Sequence, residues 1–320
     1  MGTTPLTPTE SPPLEPPARR TVAPVTGRAT LREWIQLARP QQWVKNFFVL
    51  APLLFSGRAL QSEWVFRSIG AFVMFCLLAS TIYLWNDAAD AEADRAHPTK
   101  RQRPIASGRI GKRQAMSVGV VLLLAAMALA WRLGPVVFGL AGTYVALNVL
   151  YTLRLKQMVL LDVFAIAAFF LLRLLAGSAA IEVRPSVWLL LCGGLLALYL
   201  GFTKRRHELS VLGASSAEHR SVLSHYSTGF LDQMSSVLLA VTIVSYIMYT
   251  VSSETARQVG DDSLSYSTVF VLYGVFRYLY LVHQRNGGSP TRTLLTDRSL
   301  LVTVVLWVAY CGWVIYQRTV

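Results

Sequence analysis

Long apolar runs recur along this chain and limit what it can fold into. About nine of them approach the roughly 20 residues that an α-helix needs to cross a bilayer, at 43–57, 64–85, 115–133, 135–152, 158–181, 186–203, 230–252, 266–283 and 299–317. Only 15% of the 320 residues are charged and 53% are hydrophobic, which exceeds what a water-soluble domain can bury. The sequence therefore predicts an all-α, polytopic membrane bundle of about nine transmembrane helices.

The first 30 residues differ in composition from the rest of the chain. They contain seven prolines and almost no aliphatic periodicity. Such a segment cannot form a packed core. We therefore expect residues 1–30 to be a disordered cytoplasmic tail and residues 31–320 to form one transmembrane catalytic domain.

Lysine and arginine are concentrated in every second connection between the apolar runs. The cation-rich connections are the N-terminal flank and those after the second, fourth, sixth and eighth runs, whereas the opposite connections are short or acidic. Because cytoplasmic loops carry the excess of basic residues, we expect a cytoplasmic N-terminus in the cell membrane, with the motifs described next on the cytoplasmic face. The net charge of +13 follows this alternation rather than a groove, so the sequence does not predict nucleic acid as a partner.

The stretch "NDAADAEADRAHPTKRQRPI" places acidic residues at the end of the second apolar run. If the helix continues through it, Asp87, Asp90 and Asp94 share one face, and Asn86 lies four residues before Asp90. Crowded carboxylates repel one another unless a cation neutralises them, and hard oxygen ligands suit Mg²⁺ that is shared with substrate phosphates. We predict that Asn86, Asp87, Asp90 and Asp94 bind Mg²⁺.

A basic loop follows the acidic residues directly. Lys100, Arg101 and Arg103 lie between Pro98 and Pro104, which stiffen the loop. Lysine and the guanidinium forks of arginine bind phosphate oxygens. A metal site beside such cations indicates a polyanionic ligand, most simply a diphosphate. The alternative is a helix end followed by arginines that only orient the chain in the membrane.

The stretch "NDAADAEADRAHPTKRQRPIASGRI" resembles the first aspartate-rich motif of the UbiA superfamily of intramembrane prenyltransferases. The stretches "RPQQWVKN" at 39–46, "LKQMVLLD" at 155–162, "KRRHEL" at 204–209 and "GGSPTRTLLTDRSL" at 287–300 resemble, more narrowly, its decaprenyl-phosphate phosphoribosyltransferase branch. This resemblance implies a Mg²⁺-dependent enzyme within the membrane. It would transfer phosphoribosyl from phosphoribosyl diphosphate (PRPP) to a polyprenyl phosphate, in the synthesis of cell-envelope polysaccharide precursors.

The loop after the sixth run favours one of two reactions within this resemblance. Aromatic prenyltransferases of the superfamily carry a second aspartate-rich motif there, but "TKRRHELSVLGASSAEHRSVLSHY" contains no Asp. It offers Lys204 and Arg205, with Glu208 to orient them, and additional cations suit substrates that carry several phosphates. The resemblance therefore favours phosphoribosyl transfer. The alternatives are an aromatic prenyltransferase and, in another class, a transporter or lipid-binding scaffold.

Two charged residues lie within the fifth apolar run. Asp162 and Arg173 are eleven residues apart, close to three helical turns, and therefore share one face. A charged residue inside the membrane is expected to face a polar cavity or to pair with another buried group. The resemblance implies that Asp162 contacts a second metal ion or the ribose. Arg173 is predicted to line the cavity.

Four further residues are candidates for substrate contacts. Lys45 and Asn46 begin the first run and match the resemblance, so we expect them to contact phosphate; a lysine that only reaches the membrane interface is the alternative. Tyr151 and Lys156 flank the connection between the fourth and fifth runs and equally suit interface anchors. The sequence leaves open whether copies of the chain associate as a homo-oligomer.

Overall fold

Helices make up most of the described chain. The structure is a computed structural model and describes residues 30–97, 100–212, 221–284 and 296–317. The proline-rich tail up to residue 29 and most of the stretch 287–300 lie outside these ranges.

The α-helices are, in chain order, α1 (Leu31–Ala38), α2 (Ala51–Phe55), α3 (Ser62–Ala89), α4 (Ala91–Ala96), α5 (Lys112–Leu133), α6 (Pro135–Leu153), α7 (Leu161–Ala180), α8 (Val187–Leu212), α9 (Thr228–Thr250), α10 (Ser253–Val259), α11 (Thr268–Gln284) and α12 (Arg298–Tyr316). Short 3₁₀ helices occupy several connections. The longest of those in the described ranges, Pro40–Leu50, joins α1 to α2.

Seven of the described helices are long and apolar enough to cross a membrane: α3, α5, α6, α7, α8, α9 and α12. The prediction of an all-α membrane bundle is confirmed, but the count of nine spans is not. The expected first span divides into Pro40–Leu50 and the short α2, because Pro52 has no N–H with which to continue the helical hydrogen bonds. The expected eighth span corresponds to α11, which has 17 residues and is shorter than any of the seven.

The 3₁₀ helix Pro40–Leu50 lies between α3 and α7. Its fit against α7 is close, because a Cβ added at Gly177 would lie 2.1 Å from the carbonyl oxygen of Val49. Only a residue without a side chain permits this approach of two backbones. The contact holds Lys45 and Asn46, which belong to the same 3₁₀ helix, beside α3 and α7.

An apolar cluster fastens the basic loop to the end of α3. Leu84 and Ala88 of α3 are buried against Leu37 of α1 and against Ile105 and Ile110 of the loop. Burial of such side chains stabilises the assembly by about 25 cal/mol for each Å² removed from water. The loop and α1 therefore form one unit with the helix end that carries the acidic motif.

Arg109 adds polar contacts to this unit. Its Nη1 donates to Oε1 of Glu33 at 3.1 Å, and its Nη2 donates to the carbonyl oxygen of Gln102 at 2.6 Å. The backbone N–H of Thr30 also donates to Glu33, at 2.8 Å. This bond and the charge of Arg109 lower the pKa of the Glu33 carboxyl. The loop is thus tied to α1 at a defined position, with Arg103 directed toward α3.

Candidate active site

Asp87, near the end of α3, is buried and bound by two arginines. Nη2 of Arg39 lies 2.6 Å and 2.8 Å from the two oxygens of its carboxylate, and Nη1 of Arg103 lies 3.1 Å from Oδ1. The same nitrogen of Arg103 donates to Oδ2 of Asp94 at 2.7 Å. Asp94, on α4, is also buried. One guanidinium nitrogen therefore bridges two of the predicted metal ligands.

The single helical face expected for the acidic motif does not form. α3 ends at Ala89, and Asp90 follows with φ −84° and ψ 1° before α4 begins. This break leaves Asp90 exposed, whereas Asp87 and Asp94 are buried. Within the residues that the structure describes, no three His, Cys, Asp or Glu side chains are close enough together to hold a metal ion. The structure thus brings together Asp87 and Asp94 but not Asp90.

Asn86 lies in different surroundings from Asp87. It lines a groove of about 430 Å³ between α3, α5 and α6, together with Lys112, Asn148 and several apolar side chains. The predicted phosphate ligands Lys100 and Arg101 are exposed on a short 3₁₀ helix of the basic loop. They are accessible to a ligand in solution, while Arg103 from the same loop reaches the buried acids.

Asp162 and Arg205 form a buried ion pair between α7 and α8. Nε of Arg205 lies 2.8 Å from Oδ2 of Asp162, and both side chains are 0% exposed. The hydroxyl of Tyr226 donates to Oδ1 of Asp162 at 2.8 Å and accepts from the N–H of Leu160 at 2.7 Å. Burial, together with the bond to Asp162, raises the pKa of Tyr226 to about 12. The acid is therefore held from two sides.

Three more of the predicted residues lie around Arg205. Its Nη1 is paired with Glu208, and its Nη2 donates to the hydroxyl of Tyr151 at 3.2 Å. Nζ of Lys204 lies 3.8 Å from Oε1 of Glu208. The structure thus unites Tyr151, Asp162, Lys204, Arg205 and Glu208 in one cluster. Asp162, for which the resemblance implies a metal or ribose contact, is neutralised here by Arg205.

Arg173 lies inside the bundle, and its hydrogen-bond partners are neutral. It donates to Oδ1 of Asn46 at 2.8 Å, to the hydroxyl of Tyr144 at 2.9 Å and to the carbonyl oxygen of Phe169 at 2.7 Å. Its guanidinium carbon also lies 5.0 Å from the ring centroid of Tyr144 and 5.5 Å from that of Phe75. Hydrogen bonds and aromatic faces together stabilise the charge within the membrane.

Lys45 is influenced by charges from both clusters and from Arg173. Lys204, Arg173 and Arg39 are all close enough to act electrostatically on its ammonium group. One residue of the cluster at the end of α3, Arg39, and one of the cluster at the end of α8, Lys204, are therefore both within electrostatic range of Lys45. Lys156 is half-buried on the short 3₁₀ helix between α6 and α7.

Sequence comparison decides the family to which this arrangement belongs. Residues 47–301 match the UbiA prenyltransferase family. The chain belongs to this family. Two relatives named decaprenyl-phosphate phosphoribosyltransferase, from Mycolicibacterium smegmatis and Corynebacterium glutamicum, are each 32% identical to it. The alignments cover 88% and 86% of this chain and 92% and 84% of the relatives.

Solved structures of UbiA homologues have the same fold. The structure of a homologue from Archaeoglobus fulgidus, bound to DMAPP and Mg²⁺, superposes with a TM-score of 0.65. The superposition covers 88% of this chain and 99% of the homologue, at 16% sequence identity. The likeness confirms the helical UbiA fold.

The buried acids of this UbiA chain suit a divalent cation. Mg²⁺ prefers carboxylate oxygens and is commonly held by one or two carboxylates plus waters and substrate phosphates. Nη1 of Arg103 contacts Asp87 and Asp94 at once, so both carboxylates can share one positive charge. The residues therefore fit the ion, provided that the guanidinium of Arg103 moves aside.

Sequence reasoning missed two residues of this UbiA site, Arg39 and Tyr144. Arg39 looks like any other cation of the N-terminal flank, and its partner Asp87 is 48 positions away. The sequence offers one signal, the Pro40 that follows Arg39. In the structure Arg39 adopts the left-handed conformation, φ 53° and ψ 57°, which non-glycine residues rarely adopt. Tyr144 carries one of the few polar side chains in α6. Nothing in the amino-acid sequence indicates that its partner is Arg173.

Proposed function

We propose that this UbiA-family chain transfers the 5-phosphoribosyl group of PRPP to a polyprenyl phosphate, with decaprenyl phosphate as the expected acceptor, and releases diphosphate. The observation that carries the proposal is the cluster of Arg205, Lys204 and Glu208. It lies where the resemblance leads us to expect the second aspartate-rich motif of an aromatic prenyltransferase. The named relatives, which match 88% and 86% of the chain, support the same reaction.

The divalent cation of the proposal is Mg²⁺, held by Asp87 and Asp94 with Asn86 and Asp90 nearby in sequence. When bound, it withdraws negative charge from the departing diphosphate. The burial of Asp87 and Asp94 favours this role, because carboxylates with little access to water attract a cation more strongly than exposed ones.

The basic loop binds the leaving diphosphate in this proposal, through Lys100, Arg101 and Arg103. Pre-placed cations stabilise negative charge as it develops on the leaving group. The bond between C1 of the ribose and the diphosphate breaks, and an oxygen of the lipid phosphate forms the new bond from the opposite face. That phosphate is already an anion at neutral pH, so the reaction needs no general base. We expect inversion at C1.

The second cluster binds the remaining phosphate groups. Asp162 and Glu208 hold Arg205 in place, and Lys204 lies beside it on α8. The donor brings a 5-phosphate and the acceptor brings the phosphate of the lipid, so a second set of cations is required. Lys45 is within electrostatic range of both clusters and contacts a phosphate of the donor or of the acceptor. Tyr151, Lys156, Asn46 and Arg173 form the walls of the site.

The proposed setting is the cytoplasmic face of the cell membrane. Loop charge supports this orientation, and an apolar scaffold allows the polyprenyl tail to stay in the bilayer while its phosphate reacts. We propose residues 31–320 as the catalytic unit. The product would supply cell-envelope polysaccharide synthesis.

Whether copies of the chain associate as a homo-oligomer is tested by measuring the mass of the purified protein in detergent.

The direct test is transfer from radiolabelled PRPP to decaprenyl phosphate by the full chain in detergent with Mg²⁺. Asp87→Asn should lower the rate by about 10²–10³-fold, the typical cost of removing one electrostatic element of a site. Glu92→Gln is the matched control, because Glu92 is an exposed acid near the same helix end, paired with Lys112. If the wild type labels no lipid but consumes a prenyl diphosphate with an aromatic acid, the proposal is wrong and an aromatic prenyltransferase replaces it.

A further inference from the structure

Arg39 and Arg103 reach from the accessible side of the site onto two buried acids. Their side chains are 24% and 29% exposed, against 6% and 5% for Asp87 and Asp94. Arg39 binds both oxygens of Asp87, and Arg103 bridges Asp87 and Asp94. Together the two arginines therefore neutralise the acids to which the proposed function assigns the divalent cation.

We propose that Arg39 and Arg103 hold the place of the divalent cation and move to the substrate phosphates when the cation binds; this inference rests on the proposed function. A Mg²⁺ ion lies about 2.0–2.1 Å from its carboxylate oxygens, whereas Nη1 of Arg103 contacts the same carboxylates at 3.1 Å and 2.7 Å. The ion and the guanidinium cannot both occupy the space between these oxygens, because like charges at such distances repel strongly.

The backbone around each arginine keeps its guanidinium near the site after release. Arg39 has a left-handed backbone conformation, is followed by Pro40 and stacks on the ring of Tyr83 at 4.9 Å. Such strain persists only where the surrounding structure enforces it. Arg103 belongs to a loop that Arg109 ties to α1. A short swing of each side chain is therefore enough to exchange a carboxylate for a phosphate.

This exchange makes Arg39 a phosphate-binding residue in addition to those of the basic loop. It also couples the cation to the diphosphate. Alone, the cation competes with the arginines for the carboxylates. When diphosphate accompanies the cation, the displaced guanidinium groups gain new anionic partners. Each of the two ligands then raises the affinity of the site for the other.

Binding of Mn²⁺, a paramagnetic substitute for Mg²⁺, tests this inference without any turnover. The full chain in detergent is titrated with Mn²⁺, and free ion is measured by electron paramagnetic resonance, with and without inorganic pyrophosphate. Arg103→Gln should bind Mn²⁺ alone about tenfold more tightly than the wild type, the change expected from removing a close, partly exposed like charge. With pyrophosphate present, the same variant should bind Mn²⁺ more weakly than the wild type.

Arg113→Gln is the matched control, because it removes a charge from an exposed position in the first turn of α5; its Mn²⁺ affinity should equal that of the wild type. Arg39→Gln is measured in parallel, since it leaves the Arg103 bridge intact and should shift Mn²⁺ affinity in the same direction. Unchanged or weaker binding of Mn²⁺ alone in both variants would overturn the inference. Because no phosphoribosyl donor is present, a failure of the transfer assay with the expected Mn²⁺ result would reject only the proposed reaction.

Discussion

Replacing Asp162 with Asn tests whether this acid serves the reaction directly or holds Arg205 in place. Both side chains are 0% exposed. Removing one partner of a buried ion pair typically costs about 3–5 kcal/mol, because the other charge stays behind without compensation. Arg205 keeps Glu208 and Tyr151 as partners. We therefore expect the lower end of that range, about 3 kcal/mol.

The assay is thermal unfolding of the full chain in detergent, followed by tryptophan fluorescence. At roughly 2–4 °C for each kcal/mol, the Asp162→Asn midpoint should fall by about 6–12 °C. The double variant Asp162→Asn with Arg205→Gln removes the charge left behind and should recover part of this loss. It should not recover transfer, because Arg205 is proposed to bind phosphate.

Asp232→Asn is the matched control, because Asp232 pairs with Arg206 in a partly exposed position, 35% and 20% exposed. Pairs of this kind contribute about 1 kcal/mol or less, so its midpoint should stay close to that of the wild type. Suppose instead that Asp162→Asn unfolds at the wild-type temperature yet loses Mg²⁺-dependent transfer. Asp162 would then contact metal or substrate, as the resemblance implies, and the argument from the buried pair would be refuted.

Three further predictions follow from the packing and the polar contacts. Gly177→Ala should lower the unfolding midpoint, since overpacking costs about 1–3 kcal/mol, whereas Gly139→Ala, with nothing within 4 Å of the added Cβ, should raise it or leave it unchanged. Arg173→Met should raise the KM for PRPP, because Asn46 loses its donor; steady-state kinetics checks this. Because the pKa of Tyr226 is raised from its ordinary value of 10 to about 12, its contribution to stability is complete below about pH 10 and is progressively lost as the pH rises toward about 12. Tyr226→Phe should therefore flatten this part of a plot of the unfolding midpoint against pH.

The lengths of the apolar runs predict the helical bundle correctly. They do not predict where the local backbone interrupts a helix. The run that contains Pro52, at 43–57, has fewer than the roughly 20 residues that a spanning helix needs, and the missing N–H of Pro52 divides it further. The break at Asp90 has no such signal, because neither proline nor glycine occurs between Asn86 and Asp94. A prediction from helical periodicity alone therefore makes α3 too long. It places three carboxylates on one helical face, whereas the structure brings only two of them together.

The candidate site was predictable in its residue types and less so in its partners. The resemblance predicts the basic pair Lys204 and Arg205, and the absence of Asp from their loop only helps to choose between two reactions. That Arg205 would be buried against Asp162, 43 positions earlier in the sequence, depends on how α7 and α8 pack. The same holds for Arg39 and Asp87, since a single sequence contains no information about which distant charges meet.

The balance of charge across the site favours a polyanionic substrate over a neutral one. Asp87 and Asp94 face Arg39 and Arg103, and Asp162 and Glu208 face Arg205 and Lys204, so both clusters are close to neutral. Arg173 adds positive charge, because its hydrogen-bond partners are neutral. An excess of cations in a poorly hydrated site costs free energy until an anion enters. In the proposed reaction a metal-bound diphosphate would restore only part of the balance, since the metal would offset some of its charge, and the further phosphates of the proposed phosphoribosyl donor and lipid acceptor would supply the rest.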